Sequence, residues 1–197
     1  MAKPSLQDRL IEVGAIKEGH FLLASGRHSA RYVEKFDLLR NPVATSELCE
    51  GFVQRFGNER IDLVAGPTTG GILLAFEVGR QLRVNAVYAE RSGAGSDTRE
   101  FKRGTTFLPG QRVLVVDDVL TTGGSIRETL AALEKVQAEV IGIGVLVDRS
   151  GGAVRFGDIP LFALLTLDVE TWSAADCPLC ATSVPFTKPG TTAAKSQ

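Results

Sequence analysis

From residue 61 onward the apolar positions fall into short, nearly unbroken runs, Ile61–Gly66, Ala86–Ala89, Arg112–Val116 and Val140–Val147, separated by stretches of helical spacing at about 71–82 and 125–136. Runs of Val, Ile and Leu without polar alternation mark strands buried on both faces, and helices between them make such a sheet parallel. The pattern predicts a doubly wound α/β fold with its core over residues 41–168. Ahead of the core, Leu6, Leu10, Ile11 and Val13 recur at helical spacing between Ser5, a fitting N-cap, and Gly14, a stop, which predicts a helix over 5–17. His20–Ser29 and Tyr32–Phe36 read as two strands around a Ser25–Gly26 turn. Leu48, Phe52, Val53 and Phe56 predict a helix over 42–57, opening at Asn41–Pro42. Residues 91–110 form a polar stretch too long for an ordinary connector, a length that marks functional or disordered loops. Periodicity is lost from Ala175 within a C-terminal extension over 169–197, whose last residues read as a frayed end.

Composition narrows the function classes. A chain of 197 residues suits one domain with appendages. With 22 basic and 23 acidic residues the formal net charge is -1, so no global positive field gathers nucleic acid or an anionic membrane, and any anion has to be held locally. Met1 to Asp8 lack the apolar stretch of a secretory signal, and charges interrupt every later apolar run before membrane-spanning length. Cys49, Cys177 and Cys180 are an odd, sparse set that argues against a disulfide framework, so the cytoplasm is the expected compartment.

The chemistry concentrates where a strand stops at Asp117–Asp118 and passes through Val119, Leu120, Thr121, Thr122, Gly123, Gly124 and Ser125 into a helix. Gly123 and Gly124 permit unusual dihedrals and close approach, so successive N–H groups can point into one concavity. Thr121, Thr122 and Ser125 add hydroxyl donors, and the helix N-terminus adds its positive dipole end, which together make a phosphate cradle. Two adjacent carboxylates would repel a bare phosphate. They fit a ligand that offers vicinal hydroxyls or a divalent cation, and a ribose phosphate satisfies both the acids and the cradle. A Walker loop needs a lysine ahead of Ser125, where Gly124 stands, and Gly142-Ile143-Gly144 lies inside an apolar run rather than at a strand-to-helix turn, which excludes a dinucleotide fingerprint.

The stretch Val113 to Ser125 resembles the phosphoribosylpyrophosphate signature of the type I phosphoribosyltransferases. From about Leu10 to Arg149 the chain is most similar to the branch of that family that uses orotate. Phe21 to Ser29 matches its Ser-Gly segment, Gly66 to Ile72 its pyrophosphate loop, and Asp148–Arg149 its late Asp-Arg pair. The resemblance implies a single domain over 1–197 in which residues 1–40 and the C-terminal extension form a small hood. It implies that Asp117 and Asp118 hold the ribose hydroxyls and that Thr121 to Ser125 hold the 5′-phosphate. Thr68, Thr69, Gly70 and Gly71 would cup the pyrophosphate. Thr121, Tyr32, Val33, Ser25 and Gly26 would surround the base, with Arg149 as a fork of donors on the orotate carboxylate. Arg91, Lys102 and Arg103 would close over the departing pyrophosphate. Magnesium is expected, held through the donor substrate, with no residue ligating it directly except through water from Asp117 and Asp118. A homodimer is implied as well. The chain departs from the family pattern at Ala24 and Gly70, where the family carries lysines, and its long loop has no histidine.

Weaker signals have plainer readings. Cys177-Pro178-Leu179-Cys180 has metal-ligand spacing, but a structural zinc site needs four ligands and only Cys49, His20 and His28 are otherwise available, so an incidental thiol pair is expected, with a redox or intersubunit metal role as the alternative. His20 and His28 receive no role, and Trp172 reads as a packing residue. Three functions remain open: orotate as acceptor, a purine or other base as acceptor, and a regulator that senses the activated sugar without turnover.

Overall fold

The computed structural model describes residues 10–12, 14–23, 25–167 and 170–189. Ser5, Leu6, Val13, Ala24, Asp168 and the tail from 190 lie outside the described residues. In chain order the elements are β1 (Ile16–Leu22), β2 (His28–Val33), α1 (Lys35–Leu39), α2 (Pro42–Phe56), β3 (Leu63–Pro67), α3 (Gly70–Leu82), β4 (Asn85–Arg91) and β5 (Arg99–Glu100). They continue with β6 (Arg112–Leu120), α4 (Gly124–Lys135), β7 (Glu139–Asp148), β8 (Leu161–Thr166), β9 (Thr171–Trp172) and α5 (Pro178–Ala181).

All four apolar runs become strands of a six-stranded sheet in the order β5-β4-β3-β6-β7-β8. Every pairing in it is parallel except the short antiparallel β4-β5 edge. The chain moves outward from β3 to β4 and then returns across β3 to begin β6, so strand order reverses between β3 and β6. Their carboxyl ends therefore open onto the crevice where ligands of doubly wound sheets bind.

Alternate residues of the strands feed two cores, as the pleat requires. Val64, Leu114, Val116 and Leu146 pack with α2 and α3 on one face. Leu63, Ala65, Val113, Val115, Ile143 and Val145 pack with Ile126 and Leu133 of α4 and with Phe156 on the other. The glycine pair rejected as a nucleotide motif has a packing role. A Cβ on Gly142 would lie 2.5 Å from the Phe56 ring, and one on Gly144 would lie 2.8 Å from the ring of Phe52. Both phenylalanines are fully buried, and each contributes about 3–5 kcal/mol by the usual cost of truncation to alanine.

Three sequence expectations need correction. Helix spacing over 5–17 ends early, because Gly14 takes a φ of +73° and Ile16 and Lys17 already belong to β1. The hairpin strands are not His20–Ser29 and Tyr32–Phe36: β1 is Ile16–Leu22, β2 starts at His28 and stops at Val33, and Glu34 caps α1 by accepting a hydrogen bond from the Phe36 N–H at 3.3 Å. The third, β6, does not stop at Asp117 but runs to Leu120, its backbone kept in register with β7 by Asp117 opposite Val145 and Leu120 opposite Asp148. The α2 expectation holds, with the Asn41 side chain accepting from the Ala44 N–H at 3.1 Å.

A second sheet, in the order β1-β2-β9, joins the N-terminal hairpin to a strand near the other end of the chain. Beyond β9 the short α5 carries Cys177 and Cys180 onto His20 and His28, and Phe21 bridges Thr187. No helix among the described residues is long and apolar enough to cross a membrane.

Candidate active site

Asp117 and Asp118 sit on β6 beside the switch point, and both are almost wholly buried. Their own backbone and neighbours satisfy much of their accepting capacity. Asp117 accepts from the Ser125 hydroxyl at 2.7 Å and from the Asp118 N–H at 2.9 Å, and Asp118 accepts from the Val119 N–H at 2.7 Å. The ammonium of Lys35 completes the arrangement at 3.2 and 3.0 Å from the two Asp118 oxygens. Burial, followed by the Asp118 carboxylate beside it, pushes Asp117 up to about 6, against the Ser125 hydroxyl, the Asp118 N–H and Lys35. Burial disfavours the charged form and a second carboxylate reinforces the effect.

Next to the doublet, Gly123 takes a φ of +80° as the N-cap of α4. A side chain there would be strained and would also meet Phe156 at 2.9 Å. Thr121 and Thr122 are exposed at this turn, and the first amides of α4 have no intrahelical acceptors, so donors converge in front of Asp117. Arg127 steadies the turn by donating to the Thr122 carbonyl at 2.5 Å while its guanidinium rests 5.1 Å over the Phe156 ring.

From β3 the segment Gly66 to Gly71 turns into α3 and closes directly on the doublet: a Cβ built on Gly70 would lie 1.7 Å from Asp118 Oδ2. A lysine at this position would therefore require the Asp118 carboxylate to shift from where it stands. Thr68 is held from the side by Arg99, which donates to its hydroxyl at 2.9 Å, to the Ala89 carbonyl at 3.0 Å and to Glu128 at 3.0 Å. Arg99 is 5% exposed.

On the β7 side, Asp148 accepts from Ser150 N–H and hydroxyl, each at 2.7 Å, and from the Gly152 N–H at 3.1 Å, which fixes the turn that presents Arg149. Arg149 Nε is buried with no hydrogen-bond partner among the described residues, an arrangement that costs about 1–3 kcal/mol unless a ligand group meets it. Burial, then the Glu34 carboxylate, pushes the Tyr32 phenol up against the opposing charges of Arg149, Lys17 and Lys35, so Tyr32, Lys35 and Arg149 share one electrostatic neighbourhood.

The fold thus brings Asp117, Asp118, Thr121 to Ser125, Gly70 and Gly71 together, with Tyr32 and Arg149 near them. Other candidates sit differently. The Val33 side chain belongs to the apolar core, and Ser25 and Gly26 form the exposed tip of the hairpin. Arg91 faces Asp97, Lys102 pairs with Glu100 at 3.0 Å, and Arg103 pairs with Glu90 at 3.4 Å, so the three cations are engaged with carboxylates of their own β4–β5 region. Sequence reasoning missed Lys35, which reaches Asp118 across 83 residues, and it did not anticipate the buried contacts of Arg99, one of the cations of the 91–110 stretch. No local pattern marks either, since each finds its partner only through the fold. A groove of about 550 Å³ beside α4, lined by Arg127, Leu130, Glu134, Val140 and Phe156 among others, holds none of the candidate substrate-binding residues.

Residues 38–172 match the family described as "Phosphoribosyl transferase domain". The chain belongs to that family. Among its relatives, the orotate phosphoribosyltransferase of Desulforamulus reducens is 42% identical over 190 residues, covering 96% of this chain and 97% of that protein. That of Pelotomaculum thermopropionicum is 45% identical over 179 residues, covering 91% and 92%. The crystal structure of orotate phosphoribosyltransferase from Aeropyrum pernix is similar with a TM-score of 0.69 and 30% identity, covering 82% of this chain and 93% of that one. The type I phosphoribosyltransferase fold read from the doublet and its cradle is the fold of this transferase.

Proposed function

We propose that the chain transfers the 5-phosphoribosyl group of phosphoribosylpyrophosphate to orotate. A base nitrogen forms a bond to the anomeric carbon, the bond from that carbon to pyrophosphate breaks, and the base nitrogen gives up its proton. One observation carries the reading: a buried carboxylate doublet at the switch point, with an amide-lined helix start on one side and the Gly66–Gly71 turn in contact on the other. Asp117 and Asp118 accept hydrogen bonds from the ribose hydroxyls. The Thr121–Ser125 turn binds the 5′-phosphate, and Thr68 to Gly71 bind the pyrophosphate. Arg149, whose Nε lacks a partner among the described residues, meets the orotate carboxylate, and Tyr32 borders the base under the three-stranded sheet, which serves as the hood.

Lys35 bears on the missing loop lysine. Its ammonium lies 3.0 Å from the same Asp118 oxygen that a Gly70 side chain would strike, so a cation reaches this spot from α1 instead of from the loop. Arg91, Lys102 and Arg103 would leave their carboxylate partners to neutralise the departing pyrophosphate and exclude water. The doublet fits magnesium held mainly by phosphate oxygens, with water-mediated contact from Asp117 and Asp118: Ser125, Lys35 and two amides engage the carboxylates, while Asp118 Oδ2 is buried without a hydrogen-bond partner among the described residues. When bound, that ion stabilises negative charge on pyrophosphate. Exposed Phe36, Val43, Leu73 and Phe76 on α1, α2 and α3 suit burial in a homodimer, and the working compartment is the cytoplasm.

Incubating the protein with magnesium, phosphoribosylpyrophosphate and orotate while following orotate absorbance tests the reading. Orotate is expected to be consumed with release of pyrophosphate. Turnover of a purine but not of orotate would reassign the acceptor, and binding of the activated sugar without turnover of any base would make the chain a sensor.

A further inference from the structure

Away from the candidate active site, the two histidines and two cysteines that the sequence left without a role come together. His20 lies on β1, His28 on β2, and Cys177 and Cys180 flank the start of α5, yet one ligand atom from each lies within 4.8 Å of all the others. His20 Nε2 is 2.7 Å from His28 Nδ1, 3.4 Å from Cys177 Sγ and 3.8 Å from Cys180 Sγ, and Cys180 Sγ is 3.4 Å from His28 Nδ1. Around a tetrahedral ion with metal–nitrogen bonds of about 2.0–2.1 Å and metal–sulfur bonds of about 2.3 Å, such atoms stand roughly 3.3–3.8 Å apart. Three of the four separations already fall in or near that range, the two nitrogens need to part by roughly half an ångström, and every pair lies within 4.8 Å, close enough for side-chain rotation to bring it onto one ion.

Three features point to coordination rather than a hydrogen-bond network. His20 Nδ1 lies 2.7 Å from the Val184 carbonyl, so it carries the proton and donates it, which leaves Nε2 as a lone pair aimed into the cluster. That single lone pair then faces three other donor atoms, more than hydrogen bonding can use. Finally, His20, His28 and Cys177 are all buried, and the Phe186 ring packs edge-on at 5.7 and 5.4 Å from the two imidazoles. A divalent ion that displaces the two thiol protons makes a site of two thiolates and two neutral imidazoles. Its net charge is zero, as a buried location requires.

We infer that His20, His28, Cys177 and Cys180 form a structural zinc site that fastens the C-terminal segment to the N-terminal hairpin. The set is closed, with four protein ligands, mixed nitrogen and sulfur, and C-x-x-C spacing at a helix start, which suits zinc in a structural rather than a catalytic role. Its partners are 157 residues apart for Cys177 and His20, and cross-links that close such long loops remove the most conformational freedom from the unfolded chain. The sheet it braces is small, with β9 contributing only Thr171 and Trp172.

The test uses the full chain purified without chelator. Elemental analysis should find one zinc per chain after removal of loosely bound metal, and cobalt exchange should give the visible bands of a tetrahedral thiolate site. The double variant C177S/C180S should lose the metal and melt about 10 °C lower, whereas C49S, at a buried cysteine of α2 outside the cluster, should keep it. Because the double variant could misfold, stoichiometry and cobalt spectrum of the unaltered chain decide independently. Failure to retain zinc after incubation with it, an unchanged metal content in C177S/C180S, or a chain mass lowered by two hydrogens from a Cys177–Cys180 disulfide would each overturn the assignment.

Discussion

Replacing Asp117 by asparagine should make the ligand-free protein more stable while destroying its affinity for the activated sugar. The folded-state value for Asp117 is about 6 against an ordinary 3.8, a difference of roughly two units. The folded chain therefore holds this proton more tightly than the unfolded chain does, and ionisation costs stability as pH rises through that interval. Above it the cost reaches about 3 kcal/mol at 1.36 kcal/mol per unit. Asparagine keeps the shape of the neutral carboxyl, with an oxygen for the Asp118 N–H and an amide for the Ser125 hydroxyl, so the variant should recover about 2 kcal/mol. For a chain of this size that is about 4–8 °C in melting temperature. Melting curves of both proteins from about pH 4 to about pH 8, without ligand, check it. Subtracting one from the other cancels the remaining titrating groups. The gap should be small at the acid end, open through the interval and stay level above it, while calorimetry shows loss of phosphoribosylpyrophosphate binding. Equal melting temperatures at neutral pH, or a gap independent of pH, would refute the burial argument.

Three further outcomes follow from the contacts described. Arg149→Ala should raise the Michaelis constant for orotate and lower kcat/KM by about 10²-fold, as expected for a lost charged bidentate contact, with little change in affinity for the sugar; steady-state kinetics with each substrate varied would show it, and unchanged orotate kinetics would remove Arg149 from the base site. Gly70→Ala should cost about 1–3 kcal/mol, since its Cβ meets Asp118 at 1.7 Å, and urea titration should give a lower midpoint with an unchanged slope. Arg99→Met breaks the buried pair with Glu128 and releases Thr68, so it should cost about 3–5 kcal/mol by the same measurement, and the added change Glu128→Gln should restore part of the loss.

The parallel sheet was legible because β3, β6 and β7 are buried enough to need continuous apolar runs, with the shorter apolar run of the more exposed β4 beside them, and the phosphate cradle was legible because its nine residues are contiguous. Where the reading slipped, a local rule lost to a distant contact. A charged pair usually ends a buried strand, but Asp117 and Asp118 stay within β6 because Ser125 and Lys35 come to meet them. Arg99 looked like one more loop cation until β5 paired with β4 and turned it under the Thr68 turn. β8 went unread although Gly157 and Pro160 stand just ahead of it: it is a half-exposed strand at the sheet's edge, and Leu161–Thr166 shows no period-2 alternation and little β-branching to separate it from a helix. Two histidines eight residues apart, far from a C-x-x-C, announce nothing until a hairpin and a terminal turn are folded together.

That same closing of the small sheet sets an order on biosynthesis. His28 pairs with Trp172, so during synthesis the β1–β2 hairpin waits for more than 140 residues beyond His28 before its outer edge is covered. Until then β2 offers unpaired amides and carbonyls to any neighbouring strand. Loss of the chain from β9 onward would spare the α/β core and its doublet yet leave a nascent chain with an adhesive rim, so premature termination there should appear as aggregation before it appears as lost chemistry.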